Sequence, residues 1–286
     1  MGKIIITAET GCDLPAAEAA ELGVELVPMH VTVGERTLDD GTISPADMLE
    51  QCRQLGVLPR TSGCTPIDFE AVFDRIHEAE PEAQILHIAY SAATTCSLES
   101  ALIAAEGRPY VTCTDTKHVT IGQGFVVTGT VAWMREHPEA TVEEVRAYAD
   151  GLAARTRMAF LPGDLGYLRA GGRLSNVAFV GATLLKIKPV VELLDGTLTA
   201  TKKLRGSMGS AAVALIDYLA LREDFDPERL FLVRSCGLPD PVQELAEEHA
   251  RELGFKSVSW YDTGDVITSH AGPGAFGLAF AVKGGR

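Results

Sequence analysis

Positive charge is what this sequence is shortest of. Its 286 residues carry 25 Lys and Arg against 39 Asp and Glu, a formal net charge of −14 at pH 7. Nucleic-acid binding draws on many Lys and Arg contacts to phosphate, so nucleic acid is not expected as a partner. An anionic membrane surface is disfavoured for the same reason, which leaves at most transient membrane contact. A small anionic ligand stays open, because a local site can oppose the global sign. The cysteines (Cys12, Cys52, Cys64, Cys96, Cys113 and Cys236) form no C-x-x-C. With no signal peptide in Met1–Gly11, they are expected to be reduced thiols of a cytoplasmic protein. Val266–Val282, an uncharged run of 17 residues that no other run exceeds, is broken by His270 and Pro273. It falls short of the ~20 apolar residues a membrane-spanning helix needs.

The short motifs of common catalysts are also missing. There is no G-x-x-x-x-G-K-[ST], no H-E-x-x-H and no G-x-S-x-G. The seven histidines (His30, His77, His87, His118, His137, His249 and His270) do not pair at metal-ligand spacing. An autonomous ATPase, a zincin or an α/β-hydrolase therefore has no motif support, and no metal site is expected. Gly272-Pro273-Gly274-Ala275-Phe276-Gly277 matches G-x-G-x-x-G, but Leu278–Val282 after it reads as a strand. A dinucleotide fingerprint needs a helix there, with an acidic residue ~20 positions on.

What is present is the pattern of a large soluble chain, 46% hydrophobic and 22% charged. Its length suggests two domains. Strand runs at Lys3–Thr7, Val24–Val33, Ala83–Tyr90 and Pro109–Thr114 alternate with helical runs at Pro15–Leu22, Ser44–Leu55, Thr65–Ala79 and Gly122–Glu136. Thr65, Pro66 and Asp68 fit the N-cap, N1 and N3 positions of a helix, and Thr141 with Glu144 forms a capping box. Alternation of this kind predicts a parallel sheet covered by helices, a Rossmann-like α/β domain over residues 1–157. After that the texture changes. Lys188–Arg205 reads as a hairpin turned at Asp195-Gly196. Leu230–Val233, Lys256–Tyr261 and Leu278–Val282 read as strands around a helix at Pro241–Leu253. An α+β domain with a mixed sheet is predicted for residues 158–286.

Two small-residue loops stand out, Arg60–Pro66 with Thr61 and Ser62, and Ser91–Ser97. Both precede helix N-termini, whose unpaired N–H groups and positive dipole end bind anions without Lys or Arg. The plainer reading makes the hydroxyls helix caps. Tyr167–Arg173 places Arg169 and Arg173 around Gly171-Gly172, with Gly171 as a helix C-cap, and Arg205 follows the hairpin. Guanidinium groups clustered in an acidic protein suit a phosphate or a partner as well as solvent. His270 lies in a glycine-rich segment; a lone His is more often a satisfied structural residue than an acid/base.

These segments in this order resemble the DegV family of bacterial fatty-acid-binding proteins over nearly the whole chain. Glu9-Thr10-Gly11-Cys12-Asp13-Leu14-Pro15 stands where the family has an Asp-Ser-x-x-Asp-Leu-Pro type opening. Arg60–Pro66 looks like its Thr-Ser loop, and Tyr90–Ser97 stands at its Ser-Ser-x-Leu-Ser-Gly-Thr loop, with Ala92 in place of the second Ser. Tyr167–Arg173, Lys186-Ile187-Lys188-Pro189 and His270–Gly274 are its most specific matches. The resemblance implies a two-domain protein that has no cofactor of its own and no catalysis of its own. It would bind one long-chain fatty acid between its domains, and some members present the carboxylate to a separate ATP-binding kinase subunit that makes acyl phosphate for phospholipid metabolism. Carried over by position, the carboxylate site is Thr61, Ser62, Ser91, Ala92, Thr95 and His270. Arg169 and Arg205 would face the kinase or the transferring phosphate. Val177–Leu185 is a candidate tunnel wall. Two other functions remain open: lipid transport or buffering without a kinase, and a stand-alone enzyme on a small anionic substrate with His270 as acid/base.

Overall fold

The computed structural model describes residues 3–173 and 187–284, which form three sheets. The candidate tunnel wall Val177–Leu185 and Lys186 lie outside the described residues. Ile4-Ile5-Ile6 opens β1 (Ile4–Glu9). This strand lies between β2 (Val24–Val27) and β6 (Gln84–Ala89), and β7 (Val111–Asp115) completes the sheet. Every pairing in it is parallel. Parallel neighbours need crossovers, and the helices α1 (Ala16–Leu22), α3 (Pro66–Ala79) and α4 (Ser97–Ala105) provide them. Their limits are written locally. Thr65 and Asp68 cap each other's backbone at the start of α3, as Thr141 and Glu144 do for α6 (Val142–Arg155).

The second sheet begins at β8 (Thr156–Leu161). With β9 (Ile187–Leu194), β10 (Thr197–Arg205), β11 (Phe225–Arg234), β12 (Val258–Asp262) and β13 (Phe276–Val282) it has the order β10-β9-β8-β13-β11-β12. Only β11 and β12 pair in parallel, so the sheet is mixed, as expected. Asp195 and Gly196 turn the β9–β10 hairpin with φ of +48° and +80°, the geometry an Asp-Gly turn supplies. One helix, α5 (Thr120–Glu136), fills the space between the two sheets, and Thr120 through Val131 are all buried. A helix buried all round carries no amphipathic stripe, and this one is rich in Gly, Thr and Val instead. A single apolar cluster therefore joins Ile6 and Ile88 of the first sheet to Val191, Phe231 and Ala279 of the second. A separate cluster lies under α8 (Met208–Ala220) and α9 (Asp240–Glu252) on the far face.

Three local readings change. Val24–Val33 is two strands in different sheets: β3 (His30–Val33) leaves the parallel sheet and pairs with β4 (Arg36–Asp39) and β5 (Arg60–Ser62). Thr61 and Ser62 are thus on an antiparallel strand, paired with Val31 and His30, and not in a loop at the end of a parallel strand. The strands are too short for periodicity to reveal. They hold together by burying Val31 and Val33 against Met48 and Cys52 of α2 (Pro45–Leu55). His270 lies on a short helix, α10 (Asp265–Ala271), which has no side-chain cap of its own and so gives no start signal in sequence.

Candidate functional site

A cavity of about 820 Å³, part of it open to solvent, lies between the two main sheets. Its wall mixes two kinds of surface. Met29, Phe160, Leu168, Leu198, Val233 and Phe276 give an apolar lining, while Thr61, Ser62, Thr94, Thr95, Arg173 and His270 give a polar one. Parallel-sheet loops, the small sheet and the second sheet all contribute, so no single segment contains the site.

The polar group is built around His270. Its Nε2 is 2.7 Å from Thr61 Oγ1, a contact across 209 positions of sequence. The other nitrogen, Nδ1, is buried without a hydrogen-bond partner. Gly171 presses on that edge of the ring, where a Cβ would stand 2.2 Å from Nδ1. Gly171 ends α7 (Leu165–Ala170) at φ −75°, an ordinary right-handed backbone, so it is needed here for close approach. Burial, with the charge of Arg173 added to it, pulls His270 down to about 4, and the ring is neutral at pH 7. An unmet buried N–H costs more than an unmet lone pair, and the Arg173 guanidinium beside Gly171 favours the lone pair at Nδ1. The proton then sits on Nε2, which donates to Thr61 Oγ1. That leaves the Thr61 O–H to donate into the cavity.

Arg173 is the only Lys or Arg on the cavity wall among the described residues. It is fixed by donating from Nη1 to the Gly171 carbonyl at 2.6 Å and from Nη2 to the Thr94 carbonyl at 2.9 Å. The Tyr167–Arg173 segment carried this signal in the sequence, but only the fold selects Arg173 from its two arginines. Arg169 and Arg205 are exposed and do not line the cavity. Thr95 shares its hydroxyl with Ser97 Oγ at 3.1 Å and lies over Gly63.

Ser91 and Ala92 need correction as site residues. Ser91 is fully buried and its hydroxyl donates to the Gly196 carbonyl at 2.8 Å, so it holds the tip of the β9–β10 hairpin. Ala92 is exposed and its N–H donates to Asp115 Oδ1 at 3.4 Å. Neither lines the cavity. Behind the wall is a buried network that sequence reading missed. Glu9 Oε2 accepts from the Tyr90 N–H at 2.9 Å and from Gln123 Nε2 at 2.7 Å, which fixes Tyr90 on the cavity wall. No group of His, Cys, Asp and Glu among the described residues is arranged to hold a metal ion. All six cysteines are free thiols. No helix among the described residues is long and apolar enough to cross a membrane.

Residues 3–283 match the model of a family described as uncharacterised DegV proteins. A DegV domain-containing protein of Streptomyces coelicolor is 28% identical over 284 residues, 98% of this chain and 99% of the relative. The fold is similar to that of a DegV family protein of Thermus thermophilus described for fatty-acid binding. The TM-score is 0.86 at 26% identity, covering 98% of this chain and 100% of the other. A DegV lipid-binding protein of Thermotoga maritima has the same fold, with a TM-score of 0.84 at 23% identity over 99% of this chain and 100% of the other.

Proposed function

The chain belongs to the DegV family, and from that premise we propose that it binds one long-chain fatty acid in the cavity between its two sheets, residues 1–157 and 158–286 supplying the two walls as domains. One observation carries the reading: a cavity with an apolar lining also holds a Thr61–His270 hydrogen bond and, among the described residues, one arginine, Arg173. The acyl chain takes the apolar lining. A ~16-carbon tail contributes on the order of 10 kcal/mol before ordering costs. The carboxylate accepts from the Thr61 hydroxyl, with Ser62 and Thr95 within the same polar wall and Arg173 supplying the opposite charge.

The bound carboxylate is then presented to a separate ATP-binding kinase subunit. One carboxylate oxygen attacks the γ-phosphorus of ATP, the bond to ADP breaks, and acyl phosphate forms. Such a transfer depends on position and on offsetting charge more than on acid/base groups. The chain has no phosphate loop, so the nucleotide comes with the partner. Arg169 and Arg205, exposed outside the cavity, suit the partner-facing surface. The ATP requirement places the pair in the cytoplasm. His270 is neutral and wedged between Thr61 and Gly171, which suits an orienting donor and not a proton shuttle of a stand-alone enzyme.

The test is mass spectrometry of gently extracted protein, followed by a pull-down with an ATP-binding partner. One fatty acid per chain is expected, together with acyl phosphate formation that an Arg169→Ala variant lowers while lipid content stays unchanged. A lipid-free protein that also fails to take up oleate overturns the lipid reading. Lipid without any ATP-binding partner favours transport or buffering.

A further inference from the structure

Helix α10 presents His270 at one end, yet nothing in its own sequence caps the other end. The N–H groups there are taken by carboxylates from the opposite end of the chain. Asp13 Oδ1 accepts from the Gly264 N–H at 2.8 Å, and Asp40 Oδ1 accepts from the Val266 N–H at 3.2 Å. The tie is returned by Asp265, whose Oδ2 accepts from the Gly41 N–H at 3.1 Å. Asp13 is itself fixed by the Thr120 hydroxyl, and Asp40 by Thr10. Gly264 is fitted to this contact: at φ −68° any residue suits the backbone, but a Cβ would stand 2.9 Å from Asp40 Oδ1. Further along, the Ser269 hydroxyl donates to the Asp265 carbonyl at 2.7 Å and its oxygen lies 3.4 Å from Met48 Sδ, on α2 of the small sheet's layer.

We propose that Asp13 and Asp40 are positioning residues for the His270–Thr61 pair, acting through α10 as its N-terminal cap in trans of sequence. This gives the Glu9–Pro15 opening a task that the cavity alone does not. The inference rests on the His270–Thr61 pair being part of the fatty-acid site. A carboxylate cap satisfies otherwise unpaired N–H groups and meets the positive end of the helix. Two caps from separate loops fix the helix in direction as well as in height, and both loops belong to layers that also touch the cavity wall. The neighbours of the cluster are Asp262, held by Arg234, and His30, held by Asp39 and Asp68, with the Cys12 and Cys236 thiols. No Lys or Arg contacts Asp13, Asp40 or Asp265 among the described interactions, and burial raises the pKa of all three. The anchor therefore works through hydrogen bonds to N–H groups and hydroxyls, not through ion pairs.

The test uses the whole chain, [1-13C]oleate as probe and the NMR resonances of the His270 imidazole. Asp40→Ala is expected to shift the His270 resonances and to weaken oleate about three- to tenfold, the size of a lost cap. Asp40→Asn keeps an oxygen for the Val266 N–H and is expected to restore most of both. Gly264→Ala, which leaves both carboxylates in place, is expected to shift the same resonances. Val145→Ala, in the buried face of α6, serves as a control of matched melting temperature. Unmoved His270 resonances in Asp40→Ala, or equal movement in Val145→Ala, overturns the proposal. If wild-type protein does not bind oleate, the fatty-acid reading falls, while the resonances still decide whether Asp40 positions His270.

Discussion

Thr61 and Ser91 are both small hydroxyl residues five or six positions ahead of a helix start. In the fold they face different ways. Thr61 is on β5, where antiparallel pairing with β3 turns its hydroxyl to His270 and the cavity. Ser91 follows β6, the kind of position where open α/β sheets bind ligands, yet its hydroxyl is spent on the Gly196 carbonyl of the hairpin from the second sheet. A helix-preceding hydroxyl serves whichever acceptor the tertiary structure brings near. The loop sequence does not name that acceptor.

The contrast breaks most sharply at Gly171. Gly171→Ala pushes a methyl onto the His270 ring, an overpacking cost of about 1–3 kcal/mol. Because the ring moves away from Thr61, oleate affinity is expected to fall at least about tenfold, with the Ser91 side untouched. Isothermal titration checks this, and unchanged affinity would mean that the ring has another place to go. The next effect separates the two hydroxyls directly. Ser91→Ala leaves the buried Gly196 carbonyl without its donor and should lower folding stability by about 1–3 kcal/mol with little change in oleate affinity. Thr61→Ala should do the reverse, weakening the carboxylate contact by a similar amount of about 1–3 kcal/mol. Thermal melts and titrations on both variants read the crossing. Equal losses in both quantities for both residues would erase the distinction.

The smallest effect is in pH. His270 titrates at about 4 in the fold, below the ordinary histidine range, because burial and Arg173 disfavour its charge. Between that value and the unfolded value of ~6.5 the unfolded chain binds more protons at this site, so the stability that His270 contributes falls as pH drops through this window and its loss levels off below it. His270→Gln should flatten part of that slope in melts from pH 7 to pH 4, whereas Ser91→Ala should leave the slope as it is.

Signals contained within a few residues were legible. The Thr65/Asp68 and Thr141/Glu144 boxes, the Asp195-Gly196 turn and the Ile4-Ile5-Ile6 strand are each decided by backbone chemistry in one short stretch. The departure of β3 from the sheet of β2 was not legible: Pro28 interrupts the β-rich run between them, but a break of that kind does not say which sheet the second strand joins. Nor was α10, whose cap is supplied from more than 220 positions away. For the site, Thr61, Ser62, Thr95 and His270 could be picked from their segments and do line one cavity. Arg173 was visible only as one of two arginines beside a Gly-Gly turn.

The sequence by itself determined the family, the alternation that makes a parallel sheet followed by a mixed one, and the acidic surface against which one cavity arginine stands out. These follow from composition, local propensity and motif order, which need no long-range contact. Only the tertiary structure decided that Thr61 meets His270, that Gly171 makes room for the ring, that Arg173 and not Arg169 faces the cavity, and that Ser91 belongs to the hairpin. Each of those depends on which donor and which acceptor are brought within 3 Å across 79 to 209 positions of chain, or on a Cβ that has no space, and pair distances of that kind are set by packing.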